Sequence, residues 1–216
     1  PFGGASPKDV RIINNYCSGL YSQVVHIEEE MDGVVVTGNT FNADVSSSSG
    51  SVINVLENNI GVSLFRPNRV VISNNTIKKQ GTQKEAGTYG IWITADGDVD
   101  KAGQNIIISN NMVEGFGVGI SSDSDIIDAN TVSNNIAINC TTGYIFTKAY
   151  CVDTNLSKSC DYGLQVTLGG FVSNHTFLNC TNNYQTASIP FSLVNPRFLF
   201  DALSVSASTT EYVSLL

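Results

Sequence analysis

Val71-Ile72-Ser73-Asn74-Asn75-Thr76-Ile77 and, 36 residues further on, Ile107-Ile108-Ser109-Asn110-Asn111-Met112-Val113 are one phrase written twice. A short β-branched run leads through a small polar residue into paired asparagines, and an apolar residue follows. Working outward from these two, the phrase recurs as Ile12-Ile13-Asn14-Asn15, Val36-Thr37-Gly38-Asn39-Thr40-Phe41, Val132-Ser133-Asn134-Asn135-Ile136, a weaker Val152-Asp153-Thr154-Asn155, and Val172-Ser173-Asn174-His175-Thr176-Phe177. With the second position of the pair as marker, the seven copies are separated by 24, 36, 36, 24, 20 and 20 residues. A basic turn of 20 residues, lengthened in places by insertions, is the signature of a solenoid. The unit is too short for a strand–helix–strand repeat.

A second set of residues fixes the register. Cys140, Cys160 and Cys180 each follow a marker by five residues, and Gly119, Gly143 and Gly163 each follow one by eight. Strands this short, alternating Val, Ile, Phe and Leu, cannot bury an apolar face alone, so the turns must stack and pair in parallel about 4.8 Å apart. Asparagine tolerates the left-handed backbone of a tight corner, and its amide can bond the asparagines above and below. Regularly spaced leucines of the horseshoe solenoids are missing. The reading is all-β, a right-handed parallel β-helix of six to seven turns over residues 1–186. After Tyr184 the repeat stops, and residues 187–216, strand-like and without an asparagine corner, read as a short β-rich cap or association segment that exposes Phe191, Phe198, Leu199 and Phe200.

Composition narrows the partners. The chain has 216 residues, is 42% hydrophobic and carries a formal charge of −8, with mean hydropathy +0.05 and a pI near 4.6. Its Lys and Arg are scattered, which argues against nucleic acid. No apolar run is long enough for a membrane span, and Pro1-Phe2-Gly3-Gly4 does not read as an export signal. A start without Met suggests a fragment or a processed chain. The five cysteines have no zinc-site spacing and imply no disulfide framework; the column of three reads as small buried hydrophobes.

Aligned turns can be read in columns. Gly90-Ile91-Trp92-Ile93-Thr94-Ala95-Asp96 lies over Gly119-Ile120-Ser121-Ser122-Asp123-Ser124-Asp125, then over Gly143-Tyr144-Ile145-Phe146-Thr147 and Gly163-Leu164-Gln165-Val166-Thr167. Period-two alternation sends Ile91, Ile120, Tyr144 and Leu164 inward, and Trp92, Ser121, Ile145 and Gln165 outward. Asp96, Asp123 and Asp125 then gather beside an exposed Trp92. Neighbouring carboxylates repel, so one holds its proton as a general acid while another stays ionised. Their separation would decide between retention and inversion at a sugar centre. Trp92 offers a face for a pyranose ring. Arg66, at the end of the preceding strand, is placed to hold an anionic sugar, and His26 faces out in the Trp92 column with Glu28 and Glu30 below it. Blander readings stand beside these: strand-end aspartates are common in turns, Trp92 can pack under the loop 80–88, and His26 can be a surface salt partner. Asp96, Asp98 and Asp100 fail as a calcium loop because Lys101 and Ile107 stand where Gly and Glu are required. Neither a metal nor a cofactor is called for. Insertions at 42–51, 80–88 and 97–104 are expected to wall a groove along the solenoid.

The asparagine-cornered turns, the cysteine column and the strand-rich ending over residues 8–184 resemble the pectate-lyase-like β-helix superfamily, most of all bacteriophage tailspikes and polysaccharide depolymerases. The resemblance implies a homotrimer on a virion tail, outside the cell, that binds and cleaves host surface polysaccharide. Asp96, Asp123 and Asp125 would be its acidic group. Glycoside hydrolysis, lyase chemistry through Arg66 or His26, and a non-catalytic glycan-binding adhesin or shaft remain open at this level.

Overall fold

The computed structural model describes residues 7–28, 31–45, 49–60, 63–65, 67–95, 104–126, 130–186 and 191–199; at 57–60, 63–65, 95, 104, 124–126, 148–150, 186 and 191 it describes the backbone alone. The chain is a right-handed parallel β-helix with no helix among the described residues. Three sheets run its length. The first face stacks Arg11–Ile13, Val35–Thr37, Asn68–Ser73, Gln104–Ser109, Thr131–Ser133, the end of Thr142–Asp153, Gly170–Ser173 and Phe191–Val194. The second stacks Tyr16–Tyr21, Thr40–Val45, Thr76–Lys79, Met112–Glu114, Ile136–Ile138, Leu156–Lys158, Thr176–Leu178 and Arg197–Leu199. The third stacks Gln23–Glu28, Gly50–Ile60, Glu85–Ala95, Phe116–Ile126, the start of Thr142–Asp153, Tyr162–Val166 and Asn182–Thr186.

Paired asparagines divide the labour of the corner between the first and second faces. The first of each pair takes the left-handed backbone, with φ of 56° at Asn14, Asn74 and Asn134, 57° at Asn110 and 50° at Asn174; Gly38 and Thr154 serve at the other two. The second forms the ladder. From Asn15 through Asn39, Asn75, Asn111 and Asn135 to Asn155, each Nδ2 donates to the next Oδ1 at 2.9–3.0 Å. The same Oδ1 atoms accept the backbone N–H of the rung before. Each Nδ2 from Asn39 onward also donates back to a carbonyl, Ile12, Val36, Ile72, Ile108 and Val132 in turn. Asn39, Asn75, Asn111, Asn135 and Asn155 are buried, so every polar atom they bring inside has a use.

His175 stands where the next asparagine belongs, and it ends the ladder. Its ring is fully buried, edge-on to Tyr144 and stacked on Phe177. Ser157 donates its hydroxyl to the Gly163 carbonyl, so His175 Nε2 is the donor to Ser157 Oγ at 2.9 Å, and Nδ1 is left without a partner. Burial pushes the His175 pKa down to about 3. A folded pKa below the unfolded one means stability that is whole above the unfolded value, near 6.5, and drains away as pH falls toward 3. Within that window the protein should lose about 1.4 kcal/mol per pH unit from this residue. Denaturant titrations at several pH values should show the slope, and His175→Asn should flatten it; an equal slope in the variant rules the assignment out.

Glycines at the other end of the turn permit close stacking and have no need of an unusual φ. A Cβ on Gly119 would meet the Gly143 carbonyl oxygen at 2.5 Å, one on Gly143 the Gly163 oxygen at 2.6 Å, and one on Gly163 the Asn183 oxygen at 2.5 Å. Gly119→Ala must therefore push two rungs apart, and a loss of about 1–3 kcal/mol is expected in thermal or chemical unfolding. Cys140, Cys160 and Cys180 form one column of free thiols, the first two buried as expected and Cys180 only half-buried. The Cys160 thiol is pushed up to about 12, first by its hydrogen bond with Cys140 and then by burial. A thiol so held stays protonated and serves as packing.

Two expectations need correction. An asparagine corner does occur after Tyr184. Asn195 has φ of 48°, Arg197 N–H donates to the His175 carbonyl at 2.9 Å, and Phe191–Val194 and Arg197–Leu199 pair in parallel with the rung before. Pro196 and a step of 21 residues hid it. Phe198 accordingly stacks on Phe177, with ring centroids 5.4 Å apart, and only Leu199 of the pair is exposed. Residues 187–190 and 200–216 lie outside the described residues. Nor does the insertion 80–88 wall a groove. Lys84 N–H bonds the Gly115 carbonyl, Thr141 Oγ1 bonds the Lys84 carbonyl, and Lys84 Nζ reaches Asp161 at 2.6 Å, so the loop follows the corner between the second and third faces. Its anchor is Lys79, whose buried ammonium sits between Asp44 at 2.8 Å and Glu85 at 3.0 Å.

Candidate functional site

The outward side chains of the third face fall into two columns. One is His26, Asn54, Trp92, Ser121, Ile145, Gln165 and Gln185, each paired in register with the next. The other runs Glu28, Leu56 and Thr94, and continues with Asp123, Thr147 and Thr167. The inward columns, Val25–Ile53–Ile91–Ile120–Tyr144–Leu164 and Ile27–Val55–Ile93, are buried and rigid beneath them.

Asp123 owes its position to a bulge. Ser122 pairs with Phe146 and Asp125 with Lys148, so Asp123 and Ser124 together stand opposite the single Thr147. An extra residue of this kind re-aims a side chain. Here it turns the carboxylate back toward the preceding rung, where Trp92 Nε1–H donates to Asp123 Oδ2 at 2.8 Å. Thr147 Oγ1 secures the bulge by donating to the Asp123 carbonyl at 2.9 Å. Tyr89, three residues before Trp92, lies flat on the indole with ring centroids 4.4 Å apart and planes 9° from parallel. Asn54 and Ser121, on either side of Trp92 in its column, are both buried. The aromatic pair therefore lies against the sheet, and Trp92 is half-buried rather than fully exposed.

Burial is the first cause of a raised Asp123 pKa, opposed by the hydrogen bonds from Trp92 and Thr94. Desolvation of this carboxyl thus favours its protonated form. The Tyr89 phenol is likewise raised, by burial and then by the Asp123 charge, and it stays neutral. A half-buried acid, a donor holding one of its oxygens and a two-ring platform are together suited to proton donation beside a flat, partly apolar ligand.

Among the residues singled out from sequence, Trp92 and Asp123 are brought into direct contact. Asp125 falls on the same strand opposite Lys148, but its side chain lies outside the described residues, as do Asp96 and Arg66 altogether. His26 does share the Trp92 column, two rungs away and three from Asp123, a separation of about 14 Å. Its Nδ1 faces Gln23 Oε1 and its Nε2 faces Glu28 Oε2 at 3.0 Å, so both ring nitrogens are engaged away from the acid. Glu30 is outside the described residues. Tyr89 escaped the sequence reading, although it sits directly before the Gly90 corner and three residues from the tryptophan. No group of three His, Cys, Asp or Glu side chains suited to a metal occurs among the described residues. No family model, no curated protein and no solved structure matches the chain.

Proposed function

We propose that this protein is a tailspike-like glycoside hydrolase that binds and cleaves a cell-surface polysaccharide on its third face, with Asp123 as the general acid. The observation that carries the reading is the half-buried Asp123 carboxyl, bonded to the Trp92 indole beside the stacked Tyr89. A general acid needs its proton, and burial shifts the Asp123 pKa upward, in the direction that favours it. A sugar ring presents an apolar face to the aromatic pair and hydroxyls to Thr94, Thr147 and Thr167. The lyase alternative draws less support, since His26 is occupied by Gln23 and Glu28 far from the acid.

Assembly as a homotrimer on a virion tail belongs to the same proposal. Outward columns of the other two faces are partly apolar, although the second also carries the Lys78–Glu114 ion pair and Lys158. With Ile107 and Phe171 each 42% exposed but three rungs apart, Val35, Val71 and Ile107 follow one another on the first face before Thr131 interrupts them. Met112, Ile136 and Leu156 do so on the second. Apolar sheet faces of this extent fit association better than solvent.

Incubation with a panel of capsular and O-antigen polysaccharides, followed by size-exclusion chromatography, tests the activity. Chain shortening without a new ultraviolet absorbance supports hydrolysis. Unsaturated ends would establish a lyase, and binding without shortening an adhesin. Sedimentation equilibrium tests the trimer.

A further inference from the structure

We infer that the polysaccharide taken up on the third face is uncharged and lies along the stacking axis, from the Tyr89–Trp92 platform to Gln165 and Gln185. The inference rests on the glycan reading above and adds the ligand's charge and direction to it. Among the described side chains, the two outward columns of this face hold no lysine or arginine. From Trp92 onward their accessible side chains offer hydroxyls and amides, Thr94, Thr147, Gln165, Thr167 and Gln185, with one carboxylate, Asp123, and one aliphatic side chain, Ile145. A polymer bearing a carboxylate or phosphate on each repeat needs cationic or bidentate partners to replace its hydration. On this face it would meet Asp123 and Glu28 within a chain of net charge −8.

Gln165 and Gln185 are half-exposed, adjacent in register, and able to donate and accept at once, as vicinal hydroxyls or acetamido groups require. Direction follows from spacing. Trp92, Ser121, Ile145, Gln165 and Gln185 lie on consecutive rungs, so the track from the first to the last spans about 19 Å at the ordinary strand separation. Each rung advances by close to the length that one sugar adds to an extended chain, whereas across the strands the same face offers only two columns.

The test uses the whole chain and a panel of purified surface polysaccharides sorted beforehand into those with and without carboxylate, phosphate or sulfate groups. Calorimetric titration should find the binders in the uncharged set, with affinity moving by less than about twofold over a tenfold range of salt. Gln165→Ala should weaken binding by about threefold to tenfold, the loss of one hydrogen bond. Gln165→Lys should do the same without creating affinity for the acidic set. Tightest binding by a polyanion, weakened by salt and strengthened by Gln165→Lys, overturns this inference and leaves the hydrolase proposal standing. Failure of every polysaccharide to bind sinks both.

Discussion

Asp123→Asn is expected to lower the cleavage rate by about 10²–10⁴-fold while leaving the polysaccharide bound as tightly as before. The substitution keeps the shape of the side chain. The asparagine Oδ1 still accepts from Trp92 Nε1, where the carboxylate does now at 2.8 Å, so platform and bulge persist and only the transferable proton is lost. Single-turnover rates and titration of the inactive variant separate the two effects. The pH profile gives an independent reading. Burial raises the Asp123 pKa, so the alkaline limb of the activity profile, where the general acid loses its proton as pH rises, should lie above the ordinary carboxylate range. Trp92→Phe removes the hydrogen bond that opposes the shift, and it should move the limb further upward. Unchanged turnover in Asp123→Asn would end the assignment, and loss of binding in step with turnover would recast Asp123 as a ligand contact.

Removing one amide from the middle of the asparagine ladder should cost far more than removing one from its end. Asn111 is buried; its Oδ1 accepts from both the backbone and the side chain of Asn75, and its Nδ2 donates to Asn135 Oδ1 and to the carbonyls of Ile72 and Ser109. Asn111→Ala leaves those partners buried and unpaired, each at a penalty of about 1–3 kcal/mol before relaxation. A net loss of about 3–5 kcal/mol is expected in equilibrium denaturation, near the upper end for single substitutions. Asn15 is exposed on the first rung, where solvent can replace its partners, and Asn15→Ala should cost less than about 1 kcal/mol. Equal losses at the two positions would show that the ladder does not act as a continuous array.

Architecture was legible in the sequence because a solenoid writes the same constraint many times. The pairings Trp92–Ser121, Ser121–Ile145 and Ile145–Gln165 were readable from the glycine column alone, and the structure has them in that register. The last rung was not legible, since Pro196 and a one-residue slip removed the pattern while Asn195 kept the corner. The site was harder still. Alternation put Asp123 outward, but the contact with Trp92 depends on a bulge opposite Thr147, and nothing in Ser121-Ser122-Asp123-Ser124 announces an extra residue. Tyr89 stacks on Trp92 from the corner, a position to which period-two counting assigns no face. The origin of the Asp123 shift was likewise beyond the sequence, because desolvation is a property of surroundings and not of spacing.

His175 gives the molecule a mechanical asymmetry. Five amide links tie the corner together from Asn15 to Asn155, and beyond Asn155 that side-chain cable is absent. Its replacement there is ring contact among Tyr144, His175, Phe177 and Phe198, which resists compression better than tension. A pull along the axis loads every rung alike, so the rungs at the C-terminal end, which lack the cable, would part before those that carry Trp92 and Asp123.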